Sequence, residues 1–138
     1  MTEPIRILLA EDCRFAVRVF RRHLRDWDRP YTLTVATDGE AACDIVAAAD
    51  PPPDIALLDL KMPKYSGIEV LRRIRNSVRL ADLPCIVLTT SDSPFDKAEC
   101  DALCADAYLL KGASGESIIA AIEQSLTPQD SMRGPARH

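Results

Sequence analysis

With 138 residues, 47% of them hydrophobic and 28% charged, the chain suits one folded domain, and this composition excludes a disordered one. A formal net charge of −4 argues against a broad basic surface for nucleic acid. No apolar stretch reaches the ~20 residues of a membrane helix, and Met1-Thr2-Glu3-Pro4 leads into a strand-like run without a signal peptide, so a cytoplasmic protein is expected.

The first apolar run, Ile5 to Ala10, is short and continuous, as in a strand buried on both faces. A helical period follows from Arg14 to Trp27, carried by Ala16, Phe20 and Trp27 with Val19 and Leu24 beside them. Arg14, Arg18, Arg21, Arg22 and Arg25 share the opposite, solvated face of that helix. Tyr31 to Ala36 alternates, which marks an edge strand with Leu33 and Val35 facing inward. Asp38-Gly39 opens a helix to about Ala49, and Pro51-Pro52-Pro53 stops it.

Ile55 to Leu58 is the second continuous run. Ser66-Gly67-Ile68-Glu69 has the form of a capping box that opens a helix to about Arg75. Cys85 to Leu88 is the third run, followed by Ser93 as an N-cap and Pro94 at the first position of a helix to about Cys104. Ala107 to Leu110 is the fourth continuous run, and Ser114 with Glu116 opens a last helix ending near Leu126. Strand and helix alternate five times, which predicts a parallel sheet with helices on both faces. The domain is expected to span residues 1–126, with 127–138 as a flexible tail. The five cysteines lack Cys-x-x-Cys spacing and are expected to be reduced thiols, most of them on apolar faces.

The polar residues at the strand ends carry the chemistry. Glu11-Asp12, Asp59, Thr89-Thr90 and Lys111 each follow an apolar run directly. In an open parallel sheet, ligands bind outside the carboxyl ends of the strands, so the fold gathers these groups at one edge. Three carboxylates brought together repel and need a cation. Magnesium favours oxygen ligands and is usually held by one or two carboxylates plus phosphate oxygens. A carboxylate can attack a phosphoryl donor, and an ammonium can neutralise the charge on the transferring group. Lys111 supplies the ammonium, and Thr89 a hydroxyl for a phosphoryl oxygen.

These residues resemble those of a response-regulator receiver domain, the phosphoacceptor of two-component signalling. The likeness rests on Glu11-Asp12, on Asp59 with Pro63 four residues on and Gly67 eight on, and on Thr89, Tyr108 and Lys111. It implies a flavodoxin-like fold with strand order 2-1-3-4-5. It also implies that Asp59 accepts phosphate from a sensor histidine kinase. Mg²⁺ would be held by Asp12, Asp59 and the backbone carbonyl of Lys61, with Glu11 assisting. Thr89 and Tyr108 would form a switch pair that alters the face made by the fourth helix, fifth strand and fifth helix, and a homodimer or a target complex through that face is the expected output. No enzymatic activity, direct nucleic-acid binding or membrane contact is expected.

Two departures stand out. Receiver domains usually carry proline after the site lysine, where this chain has Gly112, and a small residue after the site threonine, where it has Thr90. The Leu83-Pro84 lead-in, the Leu88-Thr89-Thr90-Ser91 strand end and the missing proline resemble small stand-alone regulators that partner bacterial phytochrome kinases. Competing assignments fit less well. A haloacid-dehalogenase-type phosphatase needs a second Asp where Lys61 stands, and a nucleotide or flavin binder needs glycines in the Glu11–Arg14 loop. A pseudo-receiver that binds partners without phosphorylation is the remaining alternative.

Overall fold

A computed structural model describes residues 3–90 and 92–126; the expected tail, 127–138, lies outside the described residues. The strands are β1 (Ile5–Ala10), β2 (Tyr31–Ala36), β3 (Ile55–Asp59), β4 (Cys85–Thr89) and β5 (Ala107–Leu110). The helices are α1 (Arg14–His23), α2 (Gly39–Ala48), α3 (Gly67–Asn76), α4 (Pro94–Ala102) and α5 (Gly115–Leu126). The strands form one parallel sheet, as the alternation predicted, in the order β2-β1-β3-β4-β5 that the resemblance implied. No described helix is long and apolar enough to cross a membrane.

The period-2 side-chain alternation splits the core into two layers. Leu8, Ala10, Ala56, Leu58, Cys85 and Val87 face α2, α3 and α4, where Ala42, Val46, Val70, Leu71, Ile74 and Cys100 meet them. Ile7, Leu9, Ile55, Leu57, Ile86 and Leu88 face α1 and α5, where Phe20, Leu24, Ile118 and Ile122 meet them. The central strands β3 and β4 are buried throughout, which accounts for their continuous apolar runs. Each fully buried Leu or Ile there contributes about 1.5–3 kcal/mol. The strand ends that carry polar groups are therefore attached to the most tightly held part of the molecule.

Several element ends differ from expectation. Helix α1 stops at His23 rather than Trp27. The Leu24 amide reaches the carbonyls of Phe20 and Arg21, each at 3.2 Å, which tightens the last turn. Trp27 then packs on Tyr31, with ring centroids 6.0 Å apart, and its indole N–H donates to Glu123 Oε2 at 3.0 Å. Arg14, Arg18, Arg21 and Arg22 of α1 are exposed, as a solvated face requires, and so is Arg25 just beyond the helix.

Helix α4 ends at Ala102, not Cys104. The Ala105 amide bonds the Cys100 carbonyl and the Cys104 amide the Asp101 carbonyl, both at 3.0 Å. That is a Schellman ending, with Cys104 at φ 59 in the left-handed position. Cys100 and Cys104 therefore do not share a helix face: Cys100 is buried and Cys104 is exposed beyond the helix. None of the five cysteines is in a disulfide, and burial pushes the Cys100 thiol up to about 11. Cys13 is also exposed, so only Cys85 and Cys100 are buried, with Cys43 intermediate.

The capping box of α3 is half formed. Ser66 Oγ accepts from the Glu69 amide at 3.2 Å, while the Glu69 carboxylate pairs with Arg72 and Arg73 instead. Helices α2 and α5 open where expected and carry side-chain caps: Asp38 Oδ1 accepts from the Ala41 amide at 2.7 Å, and Ser114 Oγ from the Ser117 amide at 3.1 Å.

Candidate functional site

The carboxyl edge of the sheet positions its polar groups through ladder bonds. Asp59 and Thr89 are the last residues of β3 and β4 rather than the first beyond them. Glu11 and Lys111 extend the ladders by one step: the Glu11 amide bonds the Ala36 carbonyl at 2.9 Å, and the Lys111 amide bonds the Thr89 carbonyl at 2.7 Å. Main-chain hydrogen bonds thus set where each side chain departs.

The acids converge. Glu11, Asp12 and Asp59 each offer a carboxylate oxygen within 4.8 Å of the others. Glu11 and Asp59 are buried, and Asp12 is exposed at the mouth. Each buried acid is held by the amide two residues further along. Cys13 N donates to Glu11 Oε2 at 3.1 Å, and Lys61 N donates to Asp59 Oδ1 at 3.2 Å. This is the local turn short acidic side chains make with their own backbone. It gives the Lys61 backbone a second contact with the site that the motif alone did not show.

Lys111 joins the acids. Its Nζ lies 2.7 Å from Glu11 Oε1 and 3.0 Å from Asp59 Oδ2. Burial works against the ammonium, but the hydrogen bonds to Glu11 and Asp59 outweigh it and hold the Lys111 pKa above its ordinary value. Burial raises the Glu11 carboxyl above the usual carboxylate range, with the Lys111 contact opposing it. An oxygen-only set of three carboxylates suits a hard divalent cation such as Mg²⁺.

The β3–α3 loop is held against the site by close packing. A Cβ on Gly67 would come within 2.3 Å of the Asp59 carbonyl oxygen, so only glycine lets α3 begin there. Its amide donates to the Leu60 carbonyl at 3.0 Å. Lys64, at φ 71, ties the same loop to the start of α2 through Glu40 at 3.2 Å and Asp38 at 3.7 Å.

Thr89 is fully buried at the end of β4. Tyr108, one strand over, is half-buried against the α2–α4 core layer, and Lys97 Nζ of α4 lies 5.8 Å from its ring centre. Phe95 of α4 and Leu110 of β5 are exposed, at 84% and 47%.

Sequence reasoning missed Arg75. From α3 it donates to the carbonyls of Leu103 (2.8 Å), Cys104 (2.9 Å), Ala81 (3.0 Å) and Leu83 (2.7 Å). It also pairs with Asp106 at 3.5 Å. Its neighbours Arg72 and Arg73 look the same in sequence, and no local signal distinguishes it.

Residues 7–123 match the response regulator receiver domain family. Response regulator MprA of Mycolicibacterium vanbaalenii is 35% identical over 130 residues, covering 92% of this chain and 54% of that protein. The chain thus spans about half the length of the curated relatives it matches first. Among solved structures, the bacteriophytochrome response regulator AtBRR is 30% identical with a TM-score of 0.78, covering 91% of this chain and 94% of its own. The phosphorylated cyanobacterial phytochrome response regulator RcpA is 26% identical with a TM-score of 0.75, covering 93% of each chain. The motif, the strand order and these relatives agree, and the chain belongs to the response regulator receiver domains of two-component systems.

Proposed function

We propose that Asp59 accepts a phosphoryl group from a phosphohistidine of a sensor kinase, and that the resulting charge resets the face formed by α4, β5 and α5. One observation carries this reading. The Asp59 carboxylate sits between the Lys111 ammonium at 3.0 Å and the Lys61 amide at 3.2 Å, inside a three-carboxylate cluster. An acid placed only to cap a helix or solvate a loop has no need of that company.

Asp59, Asp12 and the Lys61 backbone carbonyl, with Glu11 assisting, would hold Mg²⁺. When bound, the ion supplies positive charge that offsets the carboxylates and the incoming phosphoryl oxygens. An Asp59 carboxylate oxygen attacks phosphorus, the phosphorus–nitrogen bond of the phosphohistidine breaks, and the imidazole leaves with that electron pair. The product is an acyl phosphate carrying roughly −1.5 to −2 charges.

Lys111 then exchanges its Asp59 oxygen for a phosphoryl oxygen, and the Thr89 hydroxyl donates to another. Tyr108 follows Thr89 inward. Exposed Phe95 and Leu110 give the affected face apolar contacts for a second copy or a target. The likeness to phytochrome-partnered regulators favours a bacteriophytochrome-type kinase as donor.

Incubation with acetyl phosphate and Mg²⁺, followed by intact-mass spectrometry, tests the reading. Wild type gains one base-labile phosphoryl group, and a chelator prevents it. Asp59→Asn keeps the shape and loses the nucleophile. Phosphorylation of Asp59→Asn at the wild-type level would overturn the assignment.

A further inference from the structure

Lys111 is anchored on both sides. Its amide bonds the Thr89 carbonyl at 2.7 Å, and the chain then reverses so that the Ala113 amide bonds the Leu110 carbonyl at 3.1 Å. Those four residues, Leu110 to Ala113, form a β-turn with Lys111 in its second position and Gly112 in its third. Gly112 has φ 99. A type II turn requires such a positive φ at its third residue, and glycine adopts it without strain.

Space does not explain this glycine. A Cβ built on Gly112 meets nothing within 4 Å, whereas one on Gly67 would strike the Asp59 backbone. Gly112 is also exposed. What the position demands is the backbone angle alone. Proline, usual at this place in receiver domains, is locked near −65° and cannot enter this turn.

We infer that Gly112 is a positioning residue. Its positive φ sets the turn that aims Lys111 at Asp59 and Glu11, so this chain places its site lysine by a glycine turn at a position where receiver domains usually carry proline. The inference rests on the reading above, in which Lys111 takes up a phosphoryl oxygen.

Bulk and backbone angle make opposite predictions. Alanine is smaller than asparagine, but asparagine tolerates positive φ far better. On the full chain, acyl-phosphate formation from acetyl phosphate and Mg²⁺ should fall about 5- to 30-fold in Gly112→Ala, the scale of a strained left-handed residue. Gly112→Asn should stay within about twofold of wild type, because asparagine is accepted at that turn position. Gly112→Pro should lose at least as much as the alanine variant. In a Lys111→Ala background, Gly112→Ala should have no further effect, because the glycine acts through the lysine. A Gly112→Ala variant with the wild-type rate, an asparagine variant slower than the alanine one, or an undiminished Gly112→Ala effect without Lys111 would each overturn the inference.

Crystal structures of wild type and Gly112→Ala give a reading that does not depend on phosphorylation. Lys111 Nζ should bond both carboxylates in wild type and leave them in the variant. Retention of both bonds in the variant would sink the idea. If wild type takes up no phosphoryl group but the lysine moves as stated, the proposed function fails and the role of Gly112 stands.

Discussion

Lys111 and Arg75 are cations at opposite ends of the same two strands, and they are held in opposite ways. Lys111 follows the carboxyl end of β5, has a side chain 25% exposed, and bonds two side-chain carboxylates. Arg75 lies where the chain enters β4 and β5, with a side chain only 10% exposed, and bonds four main-chain carbonyls. Asp106 completes that end: its carboxylate accepts from the Cys85 amide at 3.0 Å, and its amide donates to the Cys85 carbonyl at 2.7 Å. Guanidinium is a rigid, planar fork whose donors fix geometry; ammonium is a point charge on a flexible stem. The arginine end therefore behaves as scaffold. The lysine end can exchange partners without disturbing any main-chain bond. Helix α3 spans the two, starting against the Asp59 backbone and carrying Arg75 in its last turn.

The strongest way to break this comparison is to remove the scaffold cation. Arg75→Ala takes the cation away from the buried Asp106 carboxylate and removes the donors to four carbonyls, so a loss of about 3–5 kcal/mol in unfolding free energy is expected. Arg75→Lys should not restore it, because one ammonium cannot reach the same fan of carbonyls. Denaturant titration checks both. The folded fraction of either variant should still take up phosphate at Asp59; loss of phosphorylation in folded Arg75→Ala would show that the two ends are coupled.

Lys111→Ala should give the reverse profile. Stability in metal-free buffer falls by about 1.5–3 kcal/mol, the scale of hydrogen bonds to charged groups. The rate of phosphorylation by acetyl phosphate falls about 10²- to 10³-fold, as when one donor to a developing charge is lost. A variant that loses stability and keeps its rate would place Lys111 with the scaffold.

Ser66→Ala is the mildest test. It removes the cap at the site end of α3 and should cost about 1 kcal/mol. The phosphorylation rate should stay close to wild type, since Gly67 still lets α3 begin against Asp59. A rate loss larger than the stability loss, measured on the same samples, would show that the cap also orders the loop beside Asp59.

The lysine end was legible in the sequence, and the arginine end was not. Strand-end chemistry is a local pattern: an apolar run stops and a polar residue stands at the next position, as at Glu11, Asp59, Thr89 and Lys111. The partners of Arg75 are carbonyls, which every residue has, so nothing in their identity points to the arginine that binds them. Helix ends failed for a related reason. The stop of α4 at Ala102 depends on Cys104 accepting φ 59, a position glycine usually marks. The conformation after Lys111 was likewise hidden. Glycine permits many turns, and the bond from Ala113 to Leu110 selects one.

Asp59, rather than its neighbours Asp12 and Glu11, should receive the phosphoryl group. Borohydride reduction of the phosphorylated wild-type protein converts the acyl phosphate to an alcohol, and peptide mapping then locates it. The modified residue should be Asp59 alone, with Asp12 and Glu11 unaltered. Modification at Asp12 or Glu11, with Asp59 intact, would contradict the account.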